Sequence, residues 1–300
     1  MLQNQALLFQ PTNGRPAFSK SYSMQSLRQH GRRLFWTNWY RPVQQRRSSP
    51  IKGYIALFVC FSTKAIHLEL VTDQTTATFV AALRRFMARR GKPRNIYSDN
   101  AMNFVGARNH LAELRRLFRS DKHQQVVSKF LAEENVEWHF IPPHSPHFGG
   151  LWEAGVKATK RHLLRIVGNA SLTYEELNTL VIQVEACVNS RPLTPMSNDP
   201  NDLMPLTPGH FLIGQPLTLM PEPNLIPLQL NSLSRWQHVQ QLLQSFWKRW
   251  STEYLSSLQQ RSRWWFRSGN LREGTLVLLS DEKQPPLKWK MGRIAELHPG

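Results

Sequence analysis

The sequence predicts an α/β protein with a mixed β-sheet flanked by helices, followed by a long helix and a partial small β-barrel. From Gly53 to Ile141, runs with the apolar or alternating pattern of strands alternate with segments whose apolar residues have helical spacing. This order is typical of a layered α/β domain. From Ser234, aromatic and aliphatic residues recur at steps of three or four, as in one long amphipathic helix. Two strand-like stretches, residues 274–280 and 288–297, come after it.

The first two strands are predicted to form a hairpin. Residues 54–61 are almost entirely apolar, and residues 65–71 alternate apolar with polar side chains after a short connection. In the second strand, His67 and Glu69 share the face opposite the apolar residues. We expect that face to be solvated and without a catalytic role.

Helical spacing continues through the rest of the α/β region. It predicts helices over residues 75–90, 109–117, 122–134, 151–167 and 173–189. Strands are predicted at residues 94–100, with Asp99 at the end, and at residues 137–141. Thr173 and Glu176 have the spacing of a capping box, which marks the start of the last of these helices.

Composition divides the chain into four segments. Residues 1–50 form a basic, mostly irregular segment, with a helix expected only near residues 24–30. Residues 51–191 form the α/β domain. Residues 192–230 contain nine prolines, too many for a regular element, and are expected to be a linker or covering loop. Residues 231–300 hold the long helix and the C-terminal β module.

The chain is strongly basic, with 38 Lys and Arg against 20 Asp and Glu and a net charge of +18. Residues 1–68 hold 10 basic and no acidic side chains. A near-neutral middle between two basic ends favours a polyanionic partner, because Lys and Arg release counterions from phosphates. The alternative is a basic surface that serves solubility alone.

Two cysteines, Cys60 and Cys187, fall in apolar runs and are predicted to be buried thiols. The sequence has no disulfide framework, zinc-binding cysteine motif, signal peptide or apolar run of the ~20 residues that cross a bilayer. We therefore expect a nuclear or cytoplasmic protein without a membrane partner.

Two carboxylates in residues 94–153 suit metal-dependent phosphoryl transfer. Asp99 ends a predicted strand, and Glu153 lies in the first turn of a predicted helix that follows a glycine-containing loop. Regular elements hold side chains in fixed positions. Convergent carboxylates bind divalent ions, which polarise a phosphate and activate the attacking hydroxyl or water. Asp99 and Glu153 are therefore the candidate catalytic residues and ligands for Mg²⁺ or Mn²⁺.

Three motifs resemble the integrase of BEL/Pao-type LTR retrotransposons. They are Ser-Asp-Asn-Ala-Met-Asn-Phe-Val-Gly-Ala at residues 98–107, Ile-Pro-Pro-His-Ser-Pro-His-Phe-Gly-Gly-Leu-Trp-Glu at 141–153 and Asn-Ser-Arg-Pro-Leu-Thr at 189–194. The resemblance begins at about residue 52 and implies an RNase H-like catalytic core with an Asp, Asp, Glu triad. It matches Asp99 and Glu153 to the second and third acids, and the C-terminal β module to an SH3-like DNA-binding module.

The first acid of that triad is missing. In the resembling family it lies on a strand just before the hairpin, whereas the first acidic residue of this chain is Glu69. Two metal ions about 4 Å apart need a shared ligand, which the first Asp supplies in related enzymes. Asp99 and Glu153 alone are expected to hold one ion weakly. A segment 1–50 translated from the wrong reading frame would explain both the absent acid and the unusual composition.

Basic residues follow Glu153 along its predicted helix. Lys157 lies one turn on, and Lys160 and Arg161 lie two turns on. The resemblance implies that this helix lines a DNA path, so that these three side chains contact phosphates. The alternative is an ordinary solvated ion-pair face.

The leading hypothesis is an integrase-like protein that joins element ends to target DNA by Mg²⁺-dependent polynucleotidyl transfer, with impaired catalysis. Its expected partners are DNA and, through the resemblance, further copies of the same chain. One alternative is a non-catalytic or domesticated nucleic-acid-binding remnant. Another is the product of a pseudogene, which never folds.

Overall fold

A computed structural model describes residues 7–8, 21–25, 38–41, 49–73, 75–99, 121–133, 135–141, 150–168, 170–197, 199–258, 272–281 and 284–298. The chain divides into two compact units. The first, here called the sheet unit, is Pro16–Glu185. The second, the C-terminal unit, joins Met1–Arg15 to Ala186–Gly300. The four segments expected from composition stay a prediction.

From Gly53 to Asn189, and again from Arg235 onward, the described helices and strands agree closely with the predicted elements. In chain order they are β1 (Leu7–Leu8), β2 (Ser21–Gln25), β3 (Asn38–Tyr40), β4 (Ile51–Cys60), β5 (Ile66–Val71), α1 (Thr76–Arg90), β6 (Asn95–Asp99), α2 (Asp121–Glu133), β7 (Glu137–Ile141), α3 (Gly150–Val167), α4 (Tyr174–Asn189), β8 (Thr194–Pro195), β9 (Pro205–Leu206), α5 (Pro208–Ile213), α6 (Arg235–Leu258), β10 (Leu276–Leu279) and β11 (Lys290–Arg293). The helix predicted at residues 109–117 lies outside the described residues.

Strands β5, β4, β2, β6 and β7 lie side by side in that order, and β3 pairs with the start of β4. Strand β4 is antiparallel to both β5 and β2. Strands β2, β6 and β7 are parallel to one another. This order with these directions is that of an RNase H-like sheet. The predicted fold class, an RNase H-like mixed sheet with flanking helices, is confirmed.

Helix α1 follows the β4–β5 hairpin and packs against it. Thr75 caps the helix by accepting a hydrogen bond from the Thr78 backbone N–H, and Gly91, at φ +80°, ends it. Phe86, on the buried side, stacks on Phe58 of β4 with ring centroids 4.3 Å apart. Both rings are fully buried. Burial of such aromatic area stabilises the packing of the helix on the sheet.

The expectation that His67 and Glu69 lie on a solvated face is wrong. They are 2% and 5% exposed, and all of β5 is buried. The ring of Phe86 lies 5.4 Å from that of His67, because α1 covers the face that the alternating pattern assigned to solvent. A strand buried on both faces accepts polar residues only when these are paired.

The helix expected near residues 24–30 is wrong at its start, because Met24 and Gln25 belong to strand β2. The remaining residues, 26–30, lie outside the described ones. Strand β2 pairs with β4 on one side and β6 on the other. These partners are distant in sequence, and their pairing overrides a weak local preference for helix.

The C-terminal unit is built on helix α6 and a three-stranded antiparallel sheet in the order β1-β10-β11. The predicted long helix and small β module are thus confirmed. The helix buries one side against its own unit, through Val239, Leu243, Phe246, Trp247 and Trp250. Among the described helices, none is long and apolar enough to cross a bilayer. The two cysteines are both buried free thiols, as predicted.

Prolines do not exclude regular structure from residues 192–230, contrary to expectation. Strands β8 and β9 form a short antiparallel pair, and Pro208 occupies the first turn of helix α5. A proline is favourable there because that backbone N–H has no helical partner to lose.

Candidate metal site and nucleic-acid interface

The candidate metal site lies at an edge where parallel strands end. Asp99 is the last residue of β6 and pairs with Ile141, the last residue of β7. On the other side of β6 lies β2. Carboxyl ends of parallel strands meet at one edge, and open α/β sheets bind ligands at such edges. The strand order therefore puts Asp99 in a position suited to ligand binding.

Gln25 is the neighbour of Asp99 in register. Met24 of β2 pairs with Ser98 of β6, so the next residues along the two parallel strands are Gln25 and Asp99. Strand β2 contains no Asp or Glu. Strand β2 is the strand between β4 and β6. The residue at the level of Asp99 is thus a neutral amide.

These residues fit Mg²⁺ in part. Mg²⁺ prefers oxygen ligands and is commonly held by one or two carboxylates together with water and substrate phosphates. Asp99 and Glu153 would satisfy that minimum for one ion. Two ions need a bridging carboxylate, and Gln25 is not one. Within the described residues, no group of three or more His, Cys, Asp and Glu side chains is arranged to hold a metal ion.

Glu153 lies in the first turn of α3, which begins at Gly150. Lys157 is one turn further along, and Lys160 and Arg161 are about two turns further along. The residues that connect β7 to α3 lie outside the described ones. The convergence of Glu153 with Asp99 therefore stays a prediction, as does the role of the three cations in binding phosphates.

Lys160 and Arg161 have different surroundings. Arg161 is exposed, whereas Lys160 is only 6% exposed and adjoins the fully buried Thr159. Burial lowers the pKa of Lys160 to about 8, because the ammonium group loses hydration. His162 and Leu163 are buried as well, so the buried part of α3 includes polar as well as apolar side chains.

A buried ion-pair network, which the sequence did not reveal, lies on the covered face of β5. His67 Nε2 is 2.9 Å from Glu69 Oε1, and His67 Nδ1 is 3.1 Å from Glu185 Oε2. The backbone N–H of Leu68 donates to Glu185 Oε2 at 2.7 Å, and Arg90 pairs with the other Glu185 oxygen. The one sequence signal was the absence of any acidic partner within α1 for its arginines.

Glu69 connects the network to the protein surface. Its carboxylate accepts hydrogen bonds from Arg85 Nε at 2.7 Å and from Arg89 Nη1 at 3.0 Å. The side chain of Glu69 is 5% exposed, whereas those of Arg85 and Arg89 are 45% and 41% exposed. One buried carboxylate therefore holds two guanidinium groups at the surface.

The pKa values in this network reflect competition between burial and hydrogen bonding. Burial alone would lower the pKa of His67, but hydrogen bonds to Glu185 and Glu69 outweigh it, and the pKa is raised. Burial alone would raise the pKa of Glu69, but hydrogen bonds from His67 and Arg85 outweigh it and lower the pKa to about 2. Near neutral pH, Glu69 is charged. Arginines neutralise these carboxylates, which makes the network a poor metal ligand.

Comparison with known proteins gives matches to part of the chain. Residues 234–300 match the model of a family of unknown function, DUF5641. No curated protein matches the chain. A chain in the cryo-EM structure of the simian T-cell lymphotropic virus intasome in complex with PP2A regulatory subunit B56 gamma is 13% identical, with a TM-score of 0.42. That alignment covers 74% of this chain and 63% of the other, so this chain spans less than two thirds of its length.

Two structures of the HTLV-2 integrase catalytic core domain in complex with magnesium are also similar. The dimeric form is 14% identical with a TM-score of 0.35, covering 58% of this chain and 90% of that domain. The trimeric form is 14% identical with a TM-score of 0.34, covering 60% and 89%. At these TM-scores the likeness is weak, and the RNase H-like assignment therefore rests on the strand order of the sheet unit.

Proposed function

We propose that this chain is a nucleic-acid-binding, integrase-like protein of the BEL/Pao type whose polynucleotidyl transfer is impaired. The observation that carries the proposal is the position of Gln25. It lies in the strand beside Asp99 in an RNase H-like sheet, and that strand provides no carboxylate. Asp99 and Glu153 would hold one Mg²⁺, which supplies charge neutralisation at a phosphate. Strand β2, as described, supplies no carboxylate that two ions would share.

Charge and motifs support nucleic acid as the partner. The net charge of +18 favours phosphates, and the motifs at residues 98–107, 141–153 and 189–194 resemble an enzyme that joins element ends to target DNA. Lys157, Lys160 and Arg161 are the proposed phosphate contacts. Arg161 is exposed and can meet a phosphate directly, whereas Lys160 would have to be uncovered when DNA binds. Self-association of the chain on DNA belongs to the same proposal.

The test restores the missing carboxylate. In Gln25→Asp, the new acid stands at the level of Asp99 in the parallel register. We expect tighter Mg²⁺ binding by isothermal titration calorimetry and the appearance of Mg²⁺-dependent joining of element-end DNA to a target duplex. Gln25→Asn is the matched control, because asparagine has the same size as aspartate but carries no charge. If both variants bind Mg²⁺ and join DNA no better than the parent chain, the proposed place of the missing acid is wrong.

The two matched acids are tested separately. Asp99→Asn and Glu153→Gln should each weaken Mg²⁺ binding by about tenfold or more, since each removes a charged ligand, while the circular dichroism spectrum stays unchanged. Unchanged Mg²⁺ affinity in both variants would mean that these residues form no metal site.

A non-catalytic DNA-binding protein is the second candidate function, and the neutral Gln25 favours it directly. It predicts salt-sensitive DNA binding in the parent chain and in Gln25→Asp, with no joining activity in either. Joining by Gln25→Asp would support the first candidate, and tighter Mg²⁺ binding without joining would support the second.

A further inference from the structure

We propose that the exposed arginine face of helix α1 is a second binding surface for the phosphate backbone of duplex DNA, separate from the Asp99 edge. This α1 face comprises Arg84, Arg85 and Arg89 on the helix, with Arg94 just beyond it. The inference goes beyond the proposed function, because it assigns DNA contact to residues with no part in holding metal or in the α3 interface.

The composition of α1 is the first observation. The helix contains four arginines and no acidic residue, and Lys92 and Arg94 follow just after its end. Cations in the last turn of a helix are favourable because they lie near its negative end, which accounts for Arg89 and Arg90. That effect is confined to the last turn and does not account for Arg84 or Arg85.

The arrangement of the side chains is the second observation. Arg85 and Arg89 are fixed by the buried carboxylate of Glu69, and Arg85 Nη2 also donates to the Leu70 carbonyl oxygen at 3.5 Å. The two side chains are nevertheless 45% and 41% exposed. An arginine held on a carboxylate loses less conformational entropy when it binds a phosphate. The guanidinium of Arg84 lies 5.1 Å above the ring of Phe130 on α2, which also limits its motion. The face is therefore pre-organised for an anion.

The charge of this region remains positive after pairing. Its cations are Arg84, Arg85, Arg89, Arg90, Lys92 and Arg94. The carboxylates that face them are Glu69 and Glu185 in the network and Glu137 at the start of β7, beside Asn95 in register. Cations outnumber acids two to one, so an extended polyanion gains more here than a single carboxylate partner would.

The position of the α1 face distinguishes it from the candidate metal site. Arg94 directly precedes β6, and Asp99 is at the other end of that five-residue strand. At about 3.3 Å per residue, the two are roughly 16 Å apart along the strand. Both points suit phosphates. At this separation, one duplex can contact both points, or two duplexes can contact one point each.

The experiment uses the full chain and a fluorescein-labelled duplex DNA in anisotropy titrations over a range of salt. Arg84→Gln with Arg94→Gln removes two exposed charges and leaves the arginines bound to Glu69 and Glu185 in place. We expect roughly tenfold weaker binding and a slope of log K against log salt reduced by about 1.8, since each phosphate contact contributes about 0.9. Arg235→Gln with Arg249→Gln is the control, because it removes the same charge from two exposed residues of helix α6, outside the C-terminal β module.

A change in affinity and salt slope equal to that of the control would overturn the inference, because net charge alone would then explain it. If the Arg84 and Arg94 variant loses binding only to single-stranded RNA or to polyglutamate, and still binds the duplex as the parent chain does, the inference is overturned too. The outcome is independent of the proposed function. Weaker DNA binding in the Arg84 and Arg94 variant, with unchanged Mg²⁺ affinity in Asp99→Asn and Glu153→Gln, would support the α1 face and contradict the metal site. Unchanged DNA binding in the arginine variant, with weaker Mg²⁺ binding in the two acid variants, would contradict the α1 face and support the metal site.

Discussion

His67 Nε2 lies 2.9 Å from Glu69 Oε1 within a strand whose residues are all buried. With Glu185 on its other nitrogen, the imidazole ring stands between two carboxylates, which favour the protonated ring. Arg90 Nε lies 3.2 Å from Nδ1 and opposes protonation, but the two carboxylates outweigh it. The network thereby links the stability of the sheet unit to pH, through a histidine that plays no part in the proposed metal site.

The first prediction concerns this pH dependence. The pKa of His67 in the folded chain is raised above its ordinary value of 6.5. Its contribution to the free energy of unfolding is therefore complete below pH 6.5 and is lost as pH rises through the folded pKa. Urea unfolding midpoints should fall across that window. In His67→Gln the fall should vanish, whereas His298→Gln, at an exposed site, should retain it. An unchanged pH profile in His67→Gln would contradict the linkage.

The second prediction concerns Glu69. Glu69→Gln leaves Arg85 and Arg89 without their shared carboxylate and should lower the free energy of unfolding by about 2 kcal/mol. This is less than the usual cost of breaking a fully buried ion pair, because both arginines are partly exposed. Glu133→Gln, at an exposed position of α2, is the control and should change stability little. Because the pKa of Glu69 is lowered from 4.5 to about 2, its contribution is present above pH 4.5 and is lost as pH falls toward 2. The difference between parent and variant should shrink over that range.

Local patterns in the sequence predicted the local features of the fold. The Thr173 backbone N–H donates to Glu176 Oε2 at 2.7 Å, and the Glu176 backbone N–H donates to Thr173 Oγ1 at 3.3 Å, as the capping-box spacing predicted. Asp99 likewise ends its strand as predicted. Such features depend on a few neighbouring residues, so one sequence suffices to find them.

Features that depend on distant residues could not be predicted in this way. The partner of the Leu68 N–H is Glu185, 117 residues away, and nothing in the alternation of β5 indicates that a helix covers both. Strand β2 alternates polar and apolar side chains over only five residues, which is too short a pattern to mark it, and its pairing with β4 and β6 stabilises it. Of the candidate site, the two acids and their elements were predictable, whereas the position of Gln25 beside Asp99 required the strand order.

The third prediction concerns the aromatic cluster of the C-terminal unit. The ring of Trp289 contacts Trp247, Trp250 and Tyr254 edge-on, with centroids 4.8, 6.0 and 5.6 Å away, and its Nε1–H donates to Ser190 Oγ at 3.2 Å. Trp289 is partly buried, and Trp289→Ala should lower the free energy of unfolding by about 2 kcal/mol by removing these packing contacts. Trp236→Ala, at a residue 51% exposed, should cost much less. Equal effects in urea unfolding would show that the cluster does not stabilise this unit.

The last prediction separates Lys160 from Arg161. Arg161 is exposed, so Arg161→Gln should weaken duplex DNA binding about threefold and reduce the salt slope by about 0.9, with unchanged stability. Lys160 is buried with its pKa lowered to about 8, so its charged form opposes folding, and stability should rise as pH increases from 8 toward the ordinary value of 10.5. Lys160→Met should abolish that rise. If Lys160→Met also weakens DNA binding as much as Arg161→Gln, then Lys160 is uncovered in the complex and contacts a phosphate. If it leaves binding unchanged, α3 meets DNA without Lys160, because burial in the free chain outweighs the gain from one phosphate contact.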